Sequence, residues 1–181
     1  MALVGHRKLL NSFIRDPIHH AVGRSDCAAV KAFLDHGVDV NLPTADESKQ
    51  TPLIIAGRCS STKMIRLLLE YKANIDDTDN LRRTPFMLLK QNDLTGQTYT
   101  SAQVLLRAGA DPLASSGYSI EFLAHRFGED AICDLLIECG CKITDSRNLH
   151  NFLDHASRCN MHALTLQIVE RMRKLESVDD F

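Results

Sequence analysis

The sequence predicts an all-α chain in which helix-turn-helix repeats stack one on the next. Three observations predict it. Thr51-Pro52-Leu53 and Thr84-Pro85-Phe86 stand 33 residues apart, with Asp16-Pro17-Ile18 a further 35 residues upstream. Each unit carries adjacent apolar residues in a second helical stretch, namely Phe33-Leu34, Leu68-Leu69, Leu105-Leu106 and Leu136-Ile137. Gly37, Gly109 or Gly140 then closes that stretch, with Lys72 in its place in the second unit. Self-similarity at such a period is the signature of a repeat architecture, in which one unit cannot bury its apolar face alone.

The residues that open each unit have local reasons to be there. Thr51, Thr84 and Asp16 offer a side-chain oxygen to the first free N–H groups of a helix. Pro52, Pro85 and Pro17 suit its first position, where the missing N–H is no loss. Glycine at the far end accepts the left-handed backbone that closes a helix. Leu10, Phe13 and Ile14 form an apolar helical face ahead of the first full unit and read as an N-terminal cap.

Composition narrows the function classes. The 181 residues are 44% hydrophobic and 24% charged, enough for one core-bearing domain, and the formal charge is −2. No cationic excess exists to follow a phosphate backbone or an anionic membrane, so neither nucleic acid nor membrane is expected as a partner. The apolar residues before His6-Arg7-Lys8 are too few for a signal peptide, and no apolar run approaches the roughly 20 residues of a membrane span. Six cysteines without framework spacing read as reduced thiols, which places the protein in the cytoplasm or the nucleus.

The pattern resembles the ankyrin repeat: a capped Thr-Pro-Leu-His start, an Ala-rich first helix, a Leu-Leu second helix and a closing Gly-Ala-Asp-Val-Asn. Asp16 to Asn41 and Thr51 to Asp76 align without a gap, and Thr84 to Leu113 aligns once four extra residues are allowed between its helices. Ser119 to Thr144 and Asn151 onward keep the spacing in degenerate form. The resemblance implies an ankyrin-repeat solenoid of about five repeats in a single domain, 1–181. Its parts are a cap helix at 1–15, repeats at 16–50, 51–83, 84–118 and 119–150, a C-terminal capping repeat at 151–174 and a tail at 175–181.

What the resemblance implies for function is a protein-binding surface along the first helices and the hairpin fingers. The residue after the Thr-Pro-Leu-His stretch, often a partner contact in such repeats, is here His20, Ile55, Leu88, Leu123 and His155. The three central ones form an apolar row, an interaction signal if exposed; burial between repeats through helix tilt is the alternative reading. Arg24, Arg58, Gln91 and Arg126 rim the row. Among the fingers at 42–50, 77–83 and 114–118, the candidate contacts are Arg82, Arg83 and Tyr118, since Arg and Tyr dominate interface energetics.

Several departures from the pattern are visible. The first-helix histidine survives as His19, while Ile54, Met87, Phe122 and Asp154 replace it elsewhere. The hairpin glycine gives way to Lys49 and Arg82, which predicts less regular fingers, and remains as Gly117. The insertion at 92–100 is expected as an inter-helix loop, either a tolerated extension or a contact or phosphorylation site.

Catalysis is not expected. Cys139, Cys141, His150, His155, Cys159 and His162 lack the paired spacings of a zinc site. No oxyanion hole or orienting residue accompanies a Cys-His pair. No cofactor, metal or small-molecule substrate is expected. The format resembles small ankyrin regulators, the cyclin-dependent-kinase inhibitors and the plutonium-type cell-cycle proteins, which implies an adaptor, inhibitor or regulatory subunit acting on a protein kinase or kinase complex. A substrate-recruiting adaptor of a ubiquitin ligase is the alternative, disfavoured because the tail is too short for a SOCS box. A hydrolase using Cys159 with His155 or His162 is the remote one.

Overall fold

Seven helices, and no strand, occur among the residues described by the computed structural model, which are 15–89, 96–112, 118–139, 161, 162, 165, 166, 169 and 170. The helices are α1 (Arg15–Gly23), α2 (Cys27–Asp35), α3 (Pro52–Cys59), α4 (Thr62–Glu70), α5 (Gln97–Arg107), α6 (Tyr118–Phe127) and α7 (Glu129–Glu138). The chain divides into two compact units, Met1–Ala110 and Asp111–Phe181, and each is described by itself.

Local chemistry starts the helices of the first unit. Asp26 caps α2 by accepting a hydrogen bond from the Ala29 N–H at 3.0 Å. Thr51 caps α3 by accepting from Ile54, with Pro52 in the first turn. Helix α1 begins at Arg15, so Asp16 lies within its first turn and not at the position ahead of it. A shared closure ends the second helices. The N–H groups of Val38, Ala73 and Ala110 donate to the carbonyls of Phe33, Leu68 and Leu105 at 3.0 to 3.1 Å. Gly37, Lys72 and Gly109 supply the left-handed residue, with φ of 85°, 64° and 97°.

Packing then sorts the helices into two layers. Helix α1 pairs with α2 and α3 with α4, while α1 packs on α3, α2 on α4 and α4 on α5. First helices therefore stack on first helices and second on second. Ile18 and Val22 from α1, Leu53 and Ile54 from α3, Met64, Ile65 and Leu68 from α4, and Leu105 from α5 fill the space between, all essentially inaccessible to water. Burial of these side chains contributes roughly 1.5 to 3 kcal/mol each.

The third repeat departs from expectation. Residues 85–88 form a turn in place of the first turn of a helix, with Thr84 Oγ1 accepting from the Met87 N–H at 3.4 Å. The chain from 90 to 95 lies outside the described residues. The insertion is in part helical, since α5 starts at Gln97. Thr98 is fully buried and its hydroxyl donates to Ser60 Oγ at 3.3 Å. Ser101 Oγ donates to the Ser60 carbonyl at 3.1 Å and also meets Thr62 Oγ1 at 2.8 Å. These hydroxyls fasten the start of α5 onto the turn between α3 and α4, and burial removes Thr98 as a modification site.

In the second unit α6 packs on α7. Ile120, Leu123 and Ala124 of α6 are buried at the i, i+3, i+4 spacing of one helix face, as are Ile132, Cys133, Leu135 and Leu136 of α7. The described residues from 162 to 170 are helical, and Met161 is buried. The expected N-terminal cap residues Leu10, Phe13 and Ile14, together with Gly117, Gly140, Cys141, His150, His155 and Cys159, lie outside the described residues.

Candidate protein-interaction face

Two fingers project from the first unit between helix pairs, and each is organised by one carboxylate. In the first, Asp46 Oδ1 accepts hydrogen bonds from the Ser48 N–H at 3.1 Å and from Thr44 Oγ1 at 2.6 Å. The Ser48 and Thr44 hydroxyls hold its carboxyl below the ordinary carboxylate range. In the second, 33 residues on, Asp79 Oδ1 accepts from the N–H groups of Leu81 and Arg83, both at 2.9 Å. Asp79 Oδ2 takes Arg83 Nε at 2.8 Å and Arg83 Nη2 at 2.6 Å, a two-pronged ion pair.

The Asp79 side chain has no exposed surface, whereas that of Arg83 keeps 38%. Burial pushes the Asp79 carboxyl up. The Arg83 guanidinium and the two backbone N–H groups outweigh it and hold the carboxyl below its ordinary value. The fingers are also tied together, with the Asn80 N–H donating to the Ser48 carbonyl at 3.1 Å. At their base the Asn74 N–H donates to Asn41 Oδ1 at 2.8 Å.

Lys49 and Arg82 hold the hairpin position with φ of 54° and 58°. The irregularity expected from the missing glycines does not occur, because the hydrogen bonds around Asp46 and Asp79 impose the left-handed turn on residues with a β-carbon. Such a backbone costs about 1 kcal/mol or more for a non-glycine residue. Both side chains are exposed, and Leu81 beside Arg82 is 64% exposed.

Along the first helices, His20, Arg24 and Arg58 are exposed. The apolar row is not. Ile55 is only 6% exposed, since its Cγ2 lies 4.0 Å from where a β-carbon on Gly23 would stand, at the end of the neighbouring first helix. Leu123 is 2% exposed on the α6 face that packs on α7, and Leu88 is half-buried. Ile55 and Leu123 are interior residues, as the alternative of burial between repeats allowed. Gln91 lies outside the described residues, as do the side chains of Tyr118 and Arg126, whose backbones belong to α6.

The surviving histidine does tie a loop. His19, buried, donates from Nε2 to the Leu42 carbonyl at 2.7 Å. Ile54 fills the equivalent place with apolar contact, fully buried, and Met87 accepts from the Thr84 N–H through its sulfur at 3.5 Å. Lys49 and Leu81 are candidates that reading by residue type passed over. Their signal was present in the sequence: a cation twice in a row at a glycine position, and a lone leucine in a polar finger.

Stacked helix pairs closed by a shared turn, with stacked fingers between them, define a repeat protein of the interaction class. Residues 2–79 match the family model described as ankyrin repeats (3 copies). Over that segment, less than half of its length, the chain carries ankyrin repeats, and such repeats are protein-protein interaction modules, typically non-catalytic. No curated protein matches it. No helix among the described residues is long and apolar enough to cross a membrane.

Proposed function

We propose that this protein is a non-catalytic adaptor or regulatory subunit that grips an acidic surface of its partner with the finger tips and the ends of the first helices. The observation that carries this reading is the pair Lys49 and Arg82. At both fingers a cation occupies a backbone conformation that glycine adopts without strain, and strain retained at exposed positions marks a functional role for the side chain. Arg24, Arg58 and His20 add positive or titratable groups along the first helices, and Leu81 adds apolar area beside Arg82. Ile55 and Leu123 have no part in it, while Leu88 contributes only its exposed edge.

A protein kinase or kinase complex as the partner is a finer reading that rests on resemblance of format alone. Affinity capture from the native cell decides both levels. Lys49→Gly with Arg82→Gly is expected to lose the wild-type partners while folding at least as stably. Arg24→Gln with Arg58→Gln is expected to weaken the same set. Unchanged capture by the double-glycine variant overturns the finger assignment, and a captured set without a kinase removes the finer reading.

A further inference from the structure

A shallow groove runs between the second helices α4 and α5, in the opposite layer of the stack from the helix ends just described. Buried Val104, half-buried Leu69 and exposed Ala108 give it apolar lining, and Gln103, Arg66, Glu70 and Arg107 give it polar lining. Arg66 and Arg107 are exposed, and neither has an ion-pair partner among the described residues. Glu70 follows Arg66 by one helical turn, yet the two make no ion pair, and the order of cation before acid is the weaker arrangement on a helix. Two guanidiniums and one carboxylate thus stand beside apolar surface, which leaves the rim with a cationic excess.

Length limits the occupant. The lining residues cover about one turn on each helix, roughly 6 Å, which accommodates one apolar side chain and no helix-long row of anchors. A bare anion would leave the apolar lining uncovered, and a purely apolar group would leave the cationic excess of the rim unmet. We propose that the groove is a second docking site, which takes one leucine-sized side chain flanked by carboxylates from an acidic segment of a partner protein. It stands independently of the finger contacts.

The probe is the peptide acetyl-Glu-Glu-Leu-Glu-Glu-amide, titrated into the 181-residue chain and followed by backbone amide NMR. Saturable shifts are expected at Leu69, Val104 and Ala108. Arg66→Gln with Arg107→Gln, both surface changes that spare the fold, is expected to weaken binding about five- to tenfold. A peptide with alanine for leucine is expected to bind about tenfold more weakly. Arg24→Gln with Arg58→Gln is expected to leave binding unchanged, which separates this site from the finger face.

Any of four results overturns the proposal: no saturation at millimolar peptide, shifts centred on His20, Arg24 and Arg58, equal binding by the alanine peptide, or indifference to the Arg66 and Arg107 changes.

Discussion

The backbone of Pro85 lies flat against Gly57. A β-carbon on Gly57 would stand 3.0 Å from the Pro85 carbonyl carbon and 3.1 Å from its α-carbon. That contact joins α3 to the opening turn of the next repeat, and no flexible side chain is there to give way. Gly57→Ala is therefore expected to destabilise the protein by about 1 to 3 kcal/mol through overpacking, even though alanine favours a helix by about 1 kcal/mol. Gly23→Ala is the control, since only Ile55 Cγ2 comes near, at 4.0 Å. It is expected to be neutral or stabilising by up to about 1 kcal/mol. Urea denaturation of both variants measures the difference, and equal stabilities would show that the 85 turn yields.

Lys72 closes α4 with φ of 64°, where the equivalent residues are Gly37 and Gly109. Lys72→Gly relieves a strain of about 1 to 2 kcal/mol and loses about 0.5 to 1 in the greater freedom of the unfolded chain. A net gain of about 0.5 kcal/mol is expected in thermal or urea unfolding. A loss would mean that the lysine stem contributes packing that outweighs the strain.

Asp79 predicts an acid-dependent step in stability. Its carboxyl lies below the ordinary value in the fold, so its contribution is whole above the unfolded value of about 3.9 and drains as pH falls through the lower, folded value. Asp79→Asn is expected to cost about 1 to 3 kcal/mol at pH 7. The gap between wild type and variant should narrow once pH falls below about 4. A gap constant from pH 7 to 2 on the denaturation curves would contradict the charge-based account.

Leu68 is fully buried where α4 meets its neighbours, so Leu68→Ala is expected to cost about 2 to 5 kcal/mol in urea unfolding. A change within about 0.5 kcal/mol would place the side chain outside the packed layer.

Much of this architecture was legible because its causes are local. Thr51 with Pro52 announces a helix start, Gly37 and Gly109 announce helix ends, and the 33-residue spacing announces that they recur. What was not legible depends on neighbours. Position within a repeat does not reveal tilt, so Ile55 read as an exposed groove residue although the end of α1 covers it. Thr98 read as loop because its partner, Ser60, stands 38 residues away and meets it only once the units have stacked. Lys49 and Arg82 read as breaks in regularity, but the carboxylates of Asp46 and Asp79 enforce the turn regardless.

The hydroxyl fastening of α5 to Ser60 also governs how the stack comes apart. Force or solvent acting on α5 passes to the end of α3 without crossing the turn at 85–88. Amides of the second and third repeats should then exchange with solvent in a single opening event.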